Sequence, residues 1–259
     1  MISLTTAELN AWIVAFFFPL ARVLALLVAA PPFNNPAVTV RVKLLLGLAI
    51  TIAIAPTLQQ IPVAEPASGM GLLILAQQIV IGFAMGFSMR LVFSAVDMAG
   101  MMISNQMGLG FATAYDPASA SQTPVISEFL GVLALLIFMA INGHLMVIAT
   151  LGKSFSALPI GAGAAASSTW LNIANAGGII FSSGVLLALP LVVAMLITNI
   201  ALGILVRVAP QLNLLAIGFP VTILLGFSSL LLSLSYLSMP IQEMFEYGLQ
   251  SMLGYFVIK

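Results

Sequence analysis

The stretch "GLLILAQQIVIGFAMGFSMRLVFSAVDMAGMMISN", Gly71 to Asn105, decides the fold. As a helix it would reach ~52 Å at ~1.5 Å per residue, well past the ~30 Å hydrocarbon core that a spanning helix must cross. Arg90 and Asp97 are its only formally charged residues. The whole chain has the same character: of 259 residues, 62% are hydrophobic and 5% are charged, where a soluble globular domain carries ~25% charged residues. The chain therefore reads as an all-α integral membrane protein.

Outward from that stretch, six apolar runs approach or exceed spanning length: Leu9 to Ala30, Val40 to Leu58, Gly71 to Asn105, Val125 to Leu151, Ala176 to Val208 and Ile217 to Leu237. The third is overlong, and the fifth carries Pro190 at its middle, where a missing N–H and a ring clash kink or break a helix. Bent or broken helices are expected in both. "APPFNNPAV" and "IPVAEPASG" supply turn chemistry between runs, and "LPIGAGAAASST" reads as a small, low-complexity connection. Residues 1–259 form one membrane domain in this reading, without an internal repeat. The N-terminal "MISLTTAELNAWIVAFFFPLARV" carries Glu8 and no basic n-region, so its apolar run is expected to stay in the mature protein.

Charge excludes several functions. Seven basic residues balance seven acidic ones, which leaves no electrostatic footprint for nucleic acid. There is no cysteine, hence no disulfide and no Cys-based metal or iron–sulfur site. His144 is the only histidine and lacks companions at ligand spacing, so no metal or other cofactor is expected. "LGKSF" imitates the tail of a P-loop, but Val147 stands where the earlier glycine belongs. No nucleophile with a base and an orienting partner can be nominated, so enzyme chemistry is not expected. Arg41, Lys43 and Arg207 would share one side of the membrane and Lys153 and Lys259 the other, a balance that sets no orientation.

After the third run comes "NQMGLGFATAYDPASASQTP", Asn105 to Pro124, polar and glycine-punctuated between apolar runs. Asp116 before Pro117 is the signature of an N-cap and first helical turn, while Gly108 and Gly110 supply flexibility or positive φ that ends the third run. Non-helical backbone at membrane depth is tolerated only inside protein or along a cavity. Arg90 and Asp97, two turns apart on one helical face, are the intramembrane ionisable pair, serving either packing or a polar conduit. Arg22 reads as a snorkelling side chain. Gly82 and Gly86 form a GxxxG suited to close helix packing. Six of the fourteen methionines fall between Met85 and Met107, and methionine is the side chain that re-packs around changing partners.

The motifs taken together resemble the FliR family of flagellar biosynthesis proteins, counterpart of the T component of type III secretion export gates. The resemblance is strongest at "RVAPQLNLLAIGFP", Arg207 to Pro220, and extends to "FPLARVLALLVAAPPF", "VRVKLLLGLAI", "GLGFATAYDPAS" and "NGHLMVIATLGKSFSALPIG". It implies a non-enzymatic core subunit, one copy joined to P and Q subunits in a helical ring, near the B and A components of the export apparatus. About six kinked helices would be arranged as hairpins in the bacterial inner membrane, raised toward the periplasmic side within the flagellar basal body. Unfolded flagellar proteins would pass through the pore. The resemblance places a pore plug on residues 106–122, and for its gating residues on Met107, Gly108, Leu109, Gly110, Phe111, Ala112, Thr113, Ala114, Tyr115, Asp116, Pro117, Ala118 and Ser119. Met98, Met101 and Met102 would touch a methionine gasket. Arg90, Asp97, Asn199, Arg207, Gln211 and Asn213 would serve as intramembrane polar or assembly contacts. Lipid is the remaining partner. The rival reading is a secondary transporter of a small solute or ion using Arg90 and Asp97, and a third is a membrane scaffold whose polar stretch is inert.

Overall fold

Helical periodicity is satisfied by neighbouring helices at glycines, and the elements follow from where those glycines fall. The structure, a computed structural model, describes residues 6–58, 68–110, 124–161, 167–210 and 214–255. Its helices are α1 (Thr6–Ala29), α2 (Val40–Ile54, extended by a 3-10 turn at Ala55–Thr57), α3 (Gly69–Gln106), α4 (Val125–Ala140), α5 (Gly143–Ala157), α6 (Ser167–Ala176), α7 (Gly178–Val208) and α8 (Leu214–Gly254). No strand occurs among the described residues. The chain forms two compact units, one of Met1–Leu91, Asn142–Gly177 and Phe245–Lys259, the other of Val92–Ile141 and Gly178–Met244.

In the first unit, α1 buries a stripe at Phe18, Arg22 and Leu26, spaced four residues apart and so on one helical face. The matching stripe of α3 is Gln78, Gly82 and Gly86. A side-chain carbon at Gly82 would collide with the Arg22 carbonyl oxygen, and one at Gly86 would lie 2.8 Å from the Leu26 carbonyl oxygen. Backbone meets backbone here, as small residues permit between helices in lipid. From the other side α2 brings Gly47 against Leu24.

In the second unit, α3 and α4 run antiparallel. Phe93 stacks edge-on with Phe138 at 6.0 Å, while nearer the α3 terminus Gly100 touches Ser127. The buried stripe of α4, Ile126, Leu130, Ala134 and Phe138, repeats every four residues. Helix α7 approaches through Gly184, where a Cβ would lie 2.9 Å from the Ala95 carbonyl oxygen. Helix α8 approaches through Gly226, which receives Met107.

Interruptions fall elsewhere than proline content predicts. The third run, expected to bend or break, is unbroken, one helix of 38 residues. The fifth is expected to kink or break at Pro190, and α7 runs through it. Its interruption lies at Gly177, between α6 and α7. The fourth run is divided at Asn142, which takes the left-handed conformation at φ 56°, a state asparagine reaches more readily than other residues bearing a side chain. Among the described residues, three helices are long and apolar enough to cross a membrane, Gly69–Gln106, Thr169–Val208 and Ile217–Gly254, or up to four if the divided fourth run is one span. The expected count of six is thus approximate: apolar runs outnumber long apolar helices. In its spanning window α3 is 61% buried against 22% for each of the other two.

Gly82→Ala is expected to destabilise the chain by about 1–3 kcal/mol, the cost of forcing a methyl into a packed backbone contact. Gly203→Ala, with nothing within 4 Å of the added carbon, is expected to be neutral or stabilising by up to about 1 kcal/mol through helix propensity. Unfolding of both variants in mixed micelles checks the contrast.

Candidate functional site

The site is built on the C-terminal end of α3, where the apolar helix gives way to the polar stretch. A helix leaves its last carbonyls without intrahelical partners. Here Gly108 takes φ 83°, and the Leu109 N–H donates to Ser104 O at 3.1 Å while the Gly108 N–H donates to Asn105 O at 3.1 Å. That is a Schellman cap with glycine at its left-handed position. Asn199 Nδ2 of α7 donates to Gln106 O at 3.4 Å, and Thr222 Oγ1 of α8 donates to Met107 O at 3.2 Å. Met107 is fully buried. A Cβ at Gly110 would lie 2.9 Å from Asn105 Oδ1.

Of the expected pore-closing residues, Met107, Gly108, Leu109 and Gly110 are thus placed on this end of α3. Phe111, Ala112, Thr113, Ala114, Tyr115, Asp116, Pro117, Ala118 and Ser119 lie outside the described residues, as do Gln211 and Asn213. Met98 packs beside Gly184, Met102 is half-buried and Met101 is exposed. Met85 and Met89 are buried in the first unit. Arg90, Asp97 and Arg207 are exposed. The Asp97 backbone carbonyl accepts from Ser127 Oγ at 2.9 Å, and its carboxylate lies beside Gly131.

Arg22 corrects the snorkelling expectation. Its relative exposure is 0%, so its head group reaches protein rather than an interface. Nε donates to Gln78 Oε1 at 2.8 Å, Nη1 to Ser154 Oγ at 3.1 Å and Nη2 to Leu158 O at 2.9 Å. The guanidinium also lies 4.2 Å from the centre of the Phe155 ring, within cation–π range. These partners come from α3, α5 and the residue closing α5, so one buried cation ties three segments of the first unit to neutral acceptors. Sequence reasoning missed Gln78, Ser154, Thr222 and Gly226. Isolated glycines inside apolar helices were the available signal, since each costs about 1 kcal/mol against alanine unless close packing needs it.

Residues 13–248 match the family described as Bacterial export proteins, family 1. The chain is similar to the "Flagellar biosynthetic protein FliR" of Escherichia coli (strain K12), 45% identical over 230 residues, covering 88% of this chain and 87% of that protein. Its similarity to the protein of that name from Pectobacterium carotovorum subsp. carotovorum is 43% identity over 232 residues, 89% of this chain and 88% of the other. With that of Bacillus subtilis (strain 168) it shares 25% identity over 247 residues, 92% and 93% of the two chains.

Arg22→Met is expected to destabilise the purified chain by about 3 kcal/mol, because it leaves Gln78, Ser154 and Leu158 acceptors buried without their donor. Arg90→Gln, at an exposed position, is expected to stay within about 0.5 kcal/mol of the parent. Equilibrium unfolding in mixed micelles measures both.

Proposed function

The chain belongs to the bacterial export proteins, family 1, and is a component of flagellar type III protein export; on that premise we propose that it is a core subunit of the export gate whose polar segment after α3 closes the pore. Family membership gives no support to the secondary-transporter alternative built on Arg90 and Asp97. A membrane-embedded component of this apparatus works with other export-gate proteins. In our reading these are the P and Q subunits of a ring that holds one copy of this chain, with the B and A components nearby. The ring sits in the bacterial inner membrane, raised toward the periplasmic side within the flagellar basal body, and passes unfolded flagellar proteins.

The observation that carries the closing role is the way α3 ends. A helix too long and too buried to be a simple span stops at a glycine cap, with its final carbonyls held by α7 and α8, directly before a polar stretch flanked by apolar helix. Polar backbone at membrane depth needs a protein or water-filled enclosure, and a pore lumen provides one. In this reading Met107 to Gln122 form the closing segment, anchored by Met107 on α8, with Met98, Met101 and Met102 against a deformable methionine seal. Aromatic and small side chains at Phe111, Ala112, Thr113, Ala114 and Tyr115 would fill space without reading any one cargo sequence. Gly82 and Gly86 pack helices, while Arg90, Asp97, Arg207, Gln211 and Asn213 serve contacts with neighbouring subunits. The chain carries no catalytic step in this scheme and uses no cofactor. Transport energy comes from other parts of the apparatus.

Replacing residues 111–122 by a Gly/Ser linker of equal length tests this directly. The assembled gate is expected to form and to leak ions, read as current across a bilayer or as loss of membrane potential in cells. Wild-type impermeability together with wild-type export would remove the closing role.

A further inference from the structure

The end of α3 is held more completely than a helix terminus requires. Every carbonyl from 103 to 107 has a donor: Ile103 O takes the Met107 N–H, Ser104 O takes that of Leu109 and Asn105 O takes that of Gly108. Gln106 O takes Asn199 Nδ2 at 3.4 Å, and Met107 O lies 3.2 Å from Thr222 Oγ1, whose single proton it shares with Phe219 O at 3.1 Å. The first three bonds are local and would form in an isolated helix with a glycine cap. The last two come from other helices and fix the terminus laterally.

Thr222 and Gly226 are one turn apart on α8 and therefore share a face. The first donates its hydroxyl toward the carbonyl oxygen of Met107; the second leaves space for the Met107 side chain. A Cβ at position 226 would lie 2.6 Å from Met107 Cγ, 2.7 Å from Cε and 2.9 Å from Sδ, so glycine leaves room for the methionine as it is seated and any side chain there would have to displace it. Met107 is 0% exposed and Thr222 8%. An apolar side chain seated in a notch and a hydroxyl on the adjacent carbonyl hold one residue at two points. Gly108, with φ 83°, then turns the chain away from the helix axis in a conformation that side-chain-bearing residues rarely adopt.

We propose that Thr222, Gly226 and Asn199 are positioning residues, a socket that keeps the end of α3 seated against α8 and α7 throughout export, so that the chain always leaves the helix from the same point. The proposal rests on the reading of Met107 to Gln122 as the pore-closing segment. It adds that α3 does not melt or withdraw from α8 while cargo passes. The hydroxyl of Thr222 and the absence of a side chain at Gly226 are its chemical requirements.

The chain lacks cysteine, so a Met107→Cys/Gly226→Cys pair tests the seat in the complete export complex in membranes, with each single variant as control. Oxidation is expected to form the intrachain disulfide, seen as a mobility shift without reductant, and secretion by the oxidised complex is expected to equal that by the same complex reduced. Failure to form the disulfide, or secretion blocked by oxidation and restored by reductant, would overturn the proposal. Thr222→Val supplies a second arm: loss of one buried hydrogen bond is expected to raise ion leak about fivefold with the complex intact, and Thr222→Ser is expected to restore the barrier. If the Gly/Ser replacement of 111–122 leaks while Thr222→Val does not, the socket fails and the pore-closing reading stands. If that replacement does not leak, the pore-closing reading fails, and the disulfide result alone decides whether α3 is seated.

Discussion

Close approach of backbones at glycine is the constraint on which the rest depends. Between helices in lipid, apolar burial supplies little net attraction because hydrocarbon surrounds either side chain or partner, so van der Waals contact and interhelical hydrogen bonds must hold the helices together. Gly82 and Gly86 bring α3 against α1, Gly100 brings it against α4, and Gly184 and Gly226 bring α7 and α8 to it. Three of these contacts lie beside a polar bond that lipid alone could not offer. Beside Gly82 the buried Arg22 guanidinium reaches Gln78; beside Gly100, Ser127 reaches the Asp97 carbonyl. Near Gly226, Thr222 reaches the Met107 carbonyl.

Helix class and membrane character are legible in the sequence because they follow from composition and run length, which are local sums. The third run's extent, Gly71 to Asn105, differs from α3 by only a few residues because a Schellman glycine and a turn mark its ends. Breaks are less legible. Pro190 lies inside α7, whereas Asn142 divides the fourth run through a left-handed backbone conformation that no apolar pattern announces. Arg22 illustrates the same limit for polar residues. Its sequence position near a helix end fits snorkelling, but its actual partners Ser154 and Leu158 are more than 130 residues away. A long-range pairing of that kind leaves no trace in local hydropathy.

For the candidate site, the glycines at 108 and 110 and the polarity after Gln106 are visible in the sequence, and the family resemblance gives them a role. The support beneath them is not visible. Thr222 is an ordinary residue in an apolar helix, and Gly226 is an isolated glycine with no spacing partner; their meaning arises only when α8 is laid against the end of α3. Folding thus turns a boundary in composition into a fixed mechanical point, and the family's export role gives that point something to hold.

Hydrogen exchange at residues 104–110 in the assembled export complex, with and without a stalled cargo chain, tests this most directly. The Gly108 and Leu109 amides, bonded to Asn105 O and Ser104 O, are predicted to stay protected in both states while the end of α3 remains seated. Loss of their protection when cargo occupies the pore would contradict the account.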